Sequence, residues 1–91
     1  MHAVVGNVSI ESGREDEAVA YLKENVLPMV KQAPGVIAGY WVDPRDGKGF
    51  GITLYESEEA ARGAVDMARS APMPDYVSFD SLEVREIVAQ V

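Results

Sequence analysis

The chain has 91 residues, of which 47% are hydrophobic and 25% charged, the composition of a globular protein and too short for a second folded domain. Fifteen acidic residues against eight basic ones give a formal net charge of −7, which repels phosphate backbones and anionic membrane surfaces and argues against nucleic acid and membrane as partners. With no cysteine, the fold cannot rely on disulfides or an oxidising compartment, and the expected location is the cytoplasm.

Residues 1–91 are read as one domain. The stretch Met1 to Ile10 has no basic lead and is interrupted by Gly6, Asn7 and Ser9, so it reads as neither signal peptide nor membrane anchor. His2 to Ile10 alternates with period two, Val4, Val8 and Ile10 on one side and Ala3, Val5, Asn7 and Ser9 on the other, which predicts a first strand. From Arg14 to about Gln32 the period lengthens: Ala18, Tyr21, Leu22, Val26, Met29 and Val30 recur at three- and four-residue steps behind Glu15, Asp16 and Glu17, predicting a first helix with acids at its positive end. Pro28 falls inside that pattern and predicts a kink or a break, because it lacks an N–H and clashes with the preceding turn.

Pro34-Gly35 ends the helix. Two strands then follow, Val36–Val42 and Phe50–Tyr55, joined by Asp43-Pro44-Arg45-Asp46-Gly47 as an antiparallel hairpin. Gly47-Lys48-Gly49-Phe50-Gly51 belongs to that hairpin and lacks the strand-then-helix setting of a phosphate loop. Ser57 before Glu58-Glu59 suits a helix N-cap, and a second helix should run to about Arg69 with Ala60, Ala61, Ala64, Val65 and Ala68 inward. Ala71-Pro72-Met73-Pro74 ends it, and Asp80 to Val91, rich in β-branched residues, predicts the last strand. The order β-α-β-β-α-β is that of an α+β, ferredoxin-like fold: a four-stranded antiparallel sheet with two helices on one face.

Both hairpin strands are apolar on both sides. Val5, Thr53, Tyr55, Ile87 and one of Tyr40 or Trp41 are expected on the face away from the helices, where an antiparallel sheet in water should be polar. Each large side chain removed from water contributes about 1.5–3 kcal/mol, so a face-to-face homodimer is the expected partner arrangement.

Pro34-Gly35-Val36 and Leu54-Tyr55-Glu56-Ser57-Glu58-Glu59-Ala60 resemble, respectively, the Pro-Gly start of the second strand and the aromatic-Glu-Ser-x-x-Ala passage from strand to helix of the antibiotic-biosynthesis-monooxygenase-like family. The similarity covers nearly the whole chain and implies a dimeric α/β barrel. Such families include cofactor-independent oxygenases of polycyclic aromatic or quinol substrates, haem-degrading enzymes, and proteins with no known reaction. The haem-degrading branch takes its axial ligand from a histidine on the second helix, and Ser57 to Ser70 contains none; neither haem nor any other cofactor is expected.

Asn7 resembles the first-strand asparagine of the haem-degrading branch. An amide among apolar neighbours needs hydrogen-bond partners or a ligand, and both readings stay open. Tyr55 stands where that branch has tryptophan, and either bounds a cavity or packs at the dimer seam. Strand parity is read as placing Asn7, Thr53 and Tyr55 together, beside a cavity between sheet and partner, with Asn7 and Tyr55 as candidate catalytic donors. Tyr40 and Trp41 point to opposite faces, and either is a candidate for lining the substrate site with Thr53. Arg85 is the one charge of the last strand that could reach it. His2, the only histidine, has no second ligand for a metal and reads as a solvated end residue. The expected function is binding of a small aromatic molecule, with cofactor-independent monooxygenation as the chemistry and a non-catalytic ligand-binding or structural dimer as the alternative.

Overall fold

The structure, a computed structural model, describes residues 1–91. Four strands, β1 (His2–Ile10), β2 (Val36–Trp41), β3 (Lys48–Tyr55) and β4 (Val77–Glu86), form one antiparallel sheet in the order β2-β3-β1-β4. Between β1 and β2 runs a helical stretch, and between β3 and β4 lies the helix Glu58–Ser70, so the predicted ferredoxin-like arrangement is the one observed. Asp46 and Gly47 take positive φ at the hairpin, where Arg45 and Lys48 exchange backbone hydrogen bonds of 2.9 Å, the mirror-image turn that matches strand twist.

Pro28 has the effect its chemistry demands. The stretch begins as α1 (Glu15–Tyr21), widens into a π turn over Leu22–Val26, and resumes as α2 (Leu27–Lys31) with Pro28 in its first turn. The N–H of Leu27 bonds back to the carbonyl of Leu22, five residues away, and the wider turn accommodates a ring that would clash in a continuous α-helix. The helix α3 (Glu58–Ser70) starts on Ser57, whose hydroxyl accepts from the Ala60 N–H at 3.1 Å.

The last strand differs from its expected bounds. It starts at Val77 and ends at Glu86, because its partner β1 sets its length: Ile10 pairs with Val77 and His2 with Glu86, leaving Val88 to Val91 with no rung to join. A bulge between Asn7 and Val8 of that ladder leaves Asp80 as the extra residue.

The core lies between α3 and the middle of the sheet. Val4, Ala33, Tyr55 and Ala61 are its buried centre, with Ala60, Ala64, Val65, Leu82 and Val84 packed around them. The alanines of α3 bring the helix close to the sheet and leave a space that the Tyr55 ring fills. By contrast, no residue of α1, the π turn or α2 is fully buried.

Candidate functional site

That contrast marks a cavity. The stretch 15–31 stands off from the sheet, and the space beneath it, about 410 Å³, reaches from α3 to the hairpin. All six residues of the first helix's apolar face, Ala18, Tyr21, Leu22, Val26, Met29 and Val30, line it. They form a roof rather than a packed core. The floor is the helix-facing side of the sheet. Of 31 lining residues 23 are hydrophobic and none carries a charge, so the site suits an uncharged, largely apolar guest.

Cross-strand register decides which candidates reach it. His2 pairs with Tyr55, Val4 with Thr53 and Gly6 with Gly51, so Thr53 and Tyr55 share the Val4 face, under the helices. This corrects the expectation that they look toward a partner alongside Asn7. The physical reason is that β3 is apolar on both sides, so alternation alone does not orient it; rung pairing with β1 does. Tyr55 and Thr53 are only 2% and 8% exposed, both line the cavity, and neither hydroxyl has a hydrogen-bond partner within the chain. These are the two hydroxyls that the sheet offers a guest.

Trp41 pairs with Gly51 and Tyr40 with Ile52, which resolves the Tyr40/Trp41 alternative: Trp41 lines the cavity, and Tyr40, 63% exposed, is on the open face. Asn7 pairs with Phe50 and Ser81 on that open face, where its Nδ2 donates to Ser81 Oγ at 3.0 Å. Arg85 pairs with Ala3, also on the open face, and its Nη2 meets Glu83 Oε2 at 2.7 Å. The structure therefore brings Trp41, Thr53 and Tyr55 together and sets Asn7, Tyr40 and Arg85 apart from them on the other side of the sheet. Asn7 and Tyr55 do not converge.

His2 is not the solvated end residue expected. It is half-buried on the first rung of β1, with its Nδ1 enclosed and unpartnered, and it is not among the cavity-lining residues. Charged groups whose protonation the fold biases all lie outside the cavity. A hydrogen bond from Arg62 holds Glu58 below the usual carboxylate range, and the Ser9 hydroxyl, then Lys48, does the same for Asp80. Sequence reasoning missed Gly6, Gly39 and Gly51, which keep the floor low. The available signal was their repeated place on strands beside a lone tryptophan.

No family model matches the sequence, and no curated protein does. Solved structures do. The fold is similar to that of MhuD, a haem-degrader from Mycobacterium tuberculosis with two haems bound in its active site, at a TM-score of 0.75 and 21% identity over 100% of this chain and 99% of that one. A variant of MhuD with two manganese protoporphyrin IX molecules per active site gives a TM-score of 0.77 at 19% identity, over 100% and 98%. A protein of unknown function from Nitrosomonas europaea gives 0.71 at 16% identity, over 99% and 91%. The chain therefore has the antibiotic-biosynthesis-monooxygenase-like fold, the ferredoxin-like architecture found in dimeric α/β barrels.

Proposed function

We propose that this chain is a cytoplasmic homodimer that binds a small, uncharged aromatic molecule between its helices and its sheet, and acts on it as a cofactor-independent monooxygenase. The observation that carries the reading is an apolar cavity of about 410 Å³ lined by two otherwise buried residues, Thr53 and Tyr55, whose hydroxyls have no partner within the chain. In the reaction a quinol-type substrate supplies every electron: one oxygen atom of O2 enters the ring as a carbonyl, and the other leaves as water with two hydrogens taken from the substrate. The protein's part is to hold the ring, hydrogen-bond its oxygen through Thr53 or Tyr55, and keep water from the radical pair.

The uncharged lining favours a second reading, a binding protein without catalysis, since no carboxylate, histidine or lysine stands ready to take a proton. Oxygen uptake with 1,4-naphthohydroquinone separates the two. Uptake above the autoxidation rate that falls at least about tenfold in Thr53→Val or Tyr55→Phe, as expected when one donor to a reacting oxygen is lost, supports the enzyme. Calorimetric binding without uptake supports the binding protein.

The haem of the MhuD structures is not carried over. The cavity lining contains neither histidine nor cysteine, so the donor set does not fit a histidine- or thiolate-ligated haem. Titration with haem is expected to give no histidine-ligated spectrum, and a tight complex of that kind, lost in His2→Ala, would overturn this part.

The dimer rests on the open face. Val5, Ile52 and Leu54 lie there beside Tyr40, and Ile37 is 53% exposed nearby; the charges of its β4 edge are already paired, Arg85 with Glu83 and Lys48 with Asp80 at 3.3 Å. Light scattering at micromolar concentration is expected to give twice the 9.9 kDa chain mass, unchanged by added salt because the contact is apolar. Ile52→Lys, which puts a charge at the centre of the patch, should yield the monomer. A wild-type monomer would refute the dimer.

A further inference from the structure

We infer that Trp41 determines the specificity of the cavity: its indole is a fixed flat wall against which the guest's ring system stacks, and it restricts the site to planar molecules. The inference rests on the cavity being the ligand site, and it adds what that reading lacks, a residue that selects by shape.

The indole is held down by two glycines. A Cβ built on Gly39 would lie 2.8 and 2.9 Å from Trp41 Cη2 and Cζ3, and one built on Gly51 would lie 2.6 Å from Trp41 Nε1. Both Cβ positions point from the helix-facing side of the sheet, since Gly39 pairs with Thr53 and Gly51 with Gly6. The ring therefore lies across the backbone of β2 and β3 with one face on the two glycines. Its other face looks toward the roof across the cavity it lines.

Two independent features tie this platform to a guest. The first is Thr53, 92% buried by its 8% exposure, whose hydroxyl is unpartnered. Its Cγ2 would lie 3.0 Å from a Cβ at Gly39, which puts it at the edge of the indole. The second is order along the strand: Gly51, Thr53 and Tyr55 follow at two-residue steps on one face, each step about 6.6 Å. A fused ring stacked on Trp41 extends along that line, so that a polar substituent at its far edge meets the Thr53 hydroxyl one step away. Flat stacking and terminal hydrogen bonding are thus set end to end, within the span of a two-ring molecule.

The test uses 2-naphthol and trans-2-decalol, which share a skeleton and a hydroxyl but differ in planarity, with dissociation constants from calorimetry. Aromatic stacking beyond plain area burial corresponds to about a two- to tenfold preference, so the wild type should favour 2-naphthol by that factor. Trp41→Leu should bring the ratio to about one while both molecules still bind, and Trp41→Phe should keep part of the preference. Gly51→Ala, which forces the indole off its seat without changing it, should reduce the ratio too and shift the emission of this sole tryptophan. A merely structural role weakens both compounds equally and leaves the ratio alone. An unchanged ratio in Trp41→Leu or equal binding by the wild type overturns the inference, whereas failure of both compounds to bind the wild type overturns the cavity reading beneath it.

Discussion

Tyr55→Ala is expected to cost about 3–5 kcal/mol of folding stability, the range for emptying an aromatic from a core, whereas Tyr55→Phe should cost under about 1 kcal/mol. The ring is 2% exposed and packs with Val4, Ala33 and Ala61. Its neighbours across the core are alanines, which have no longer side chain to swing into the void, so little of the loss is recovered by collapse. The hydroxyl has no partner in the chain, and removing it orphans nothing. For a domain of this size each kcal/mol moves the melting temperature by about 4–8 °C, so the alanine variant should melt well over about 10 °C lower while the phenylalanine variant melts close to wild type. Urea unfolding with an unchanged slope and a lowered midpoint would confirm that the folded state is what suffers. Similar losses in both variants would mean that the hydroxyl, rather than the ring, carries the stabilisation.

Gly35→Ala is expected to cost about 2–4 kcal/mol, from left-handed backbone strain and forced overpacking together. Gly35 has φ +76°, and a Cβ there would stand 2.9 Å from the Cβ of Ala60. Neither group can yield cheaply: Ala60 sits in the first turn of α3, and the Gly35 carbonyl accepts from the Glu56 N–H at 2.8 Å, which fixes the loop. Gly13 supplies the comparison. Its φ is +85°, but nothing lies within 4 Å of its absent Cβ, so Gly13→Ala isolates the strain alone, about 1–2 kcal/mol. Thermal melting of the two variants side by side reads out the contact between the β2 entrance and α3, and equal losses would show that the contact contributes nothing.

Element types were legible wherever one side of a strand or helix differs from the other. Val4, Val8 and Ile10 against Asn7 and Ser9 oriented β1 correctly, and the apolar face from Ala18 to Val30 was right in membership. The orientation of β3 was not legible, because small or apolar residues occupy both of its sides, so nothing within the strand distinguishes in from out. Only the rung between His2 and Tyr55 does, and it joins residues at opposite ends of the first three strands. The location of the cavity was hidden for another reason. A helical periodicity says which residues turn toward the sheet and not how far away they stay; small α3 alanines permit contact, while the Pro28-widened stretch opposite them leaves a gap. Asn7 was assigned to the site because its own strand was read well and its neighbour was not.

The π turn gives that gap an unusual dependence on chain length. A π turn is in effect an α-helix whose wide turn absorbs one inserted residue, so closing Leu22–Val26 to regular winding at the same length would rotate everything before it by about 100°. Ala18 and Tyr21 would leave the roof, and the acids of the first turn would swing with them. Deleting one of these five residues, none of them fully buried, instead lets the turn close with both flanks where they are. Among natural variants of this chain the loss of one residue between Tyr21 and Leu27 should therefore be accommodated as an ordinary α turn with the roof still facing the floor, since one extra residue is what the wide turn takes up.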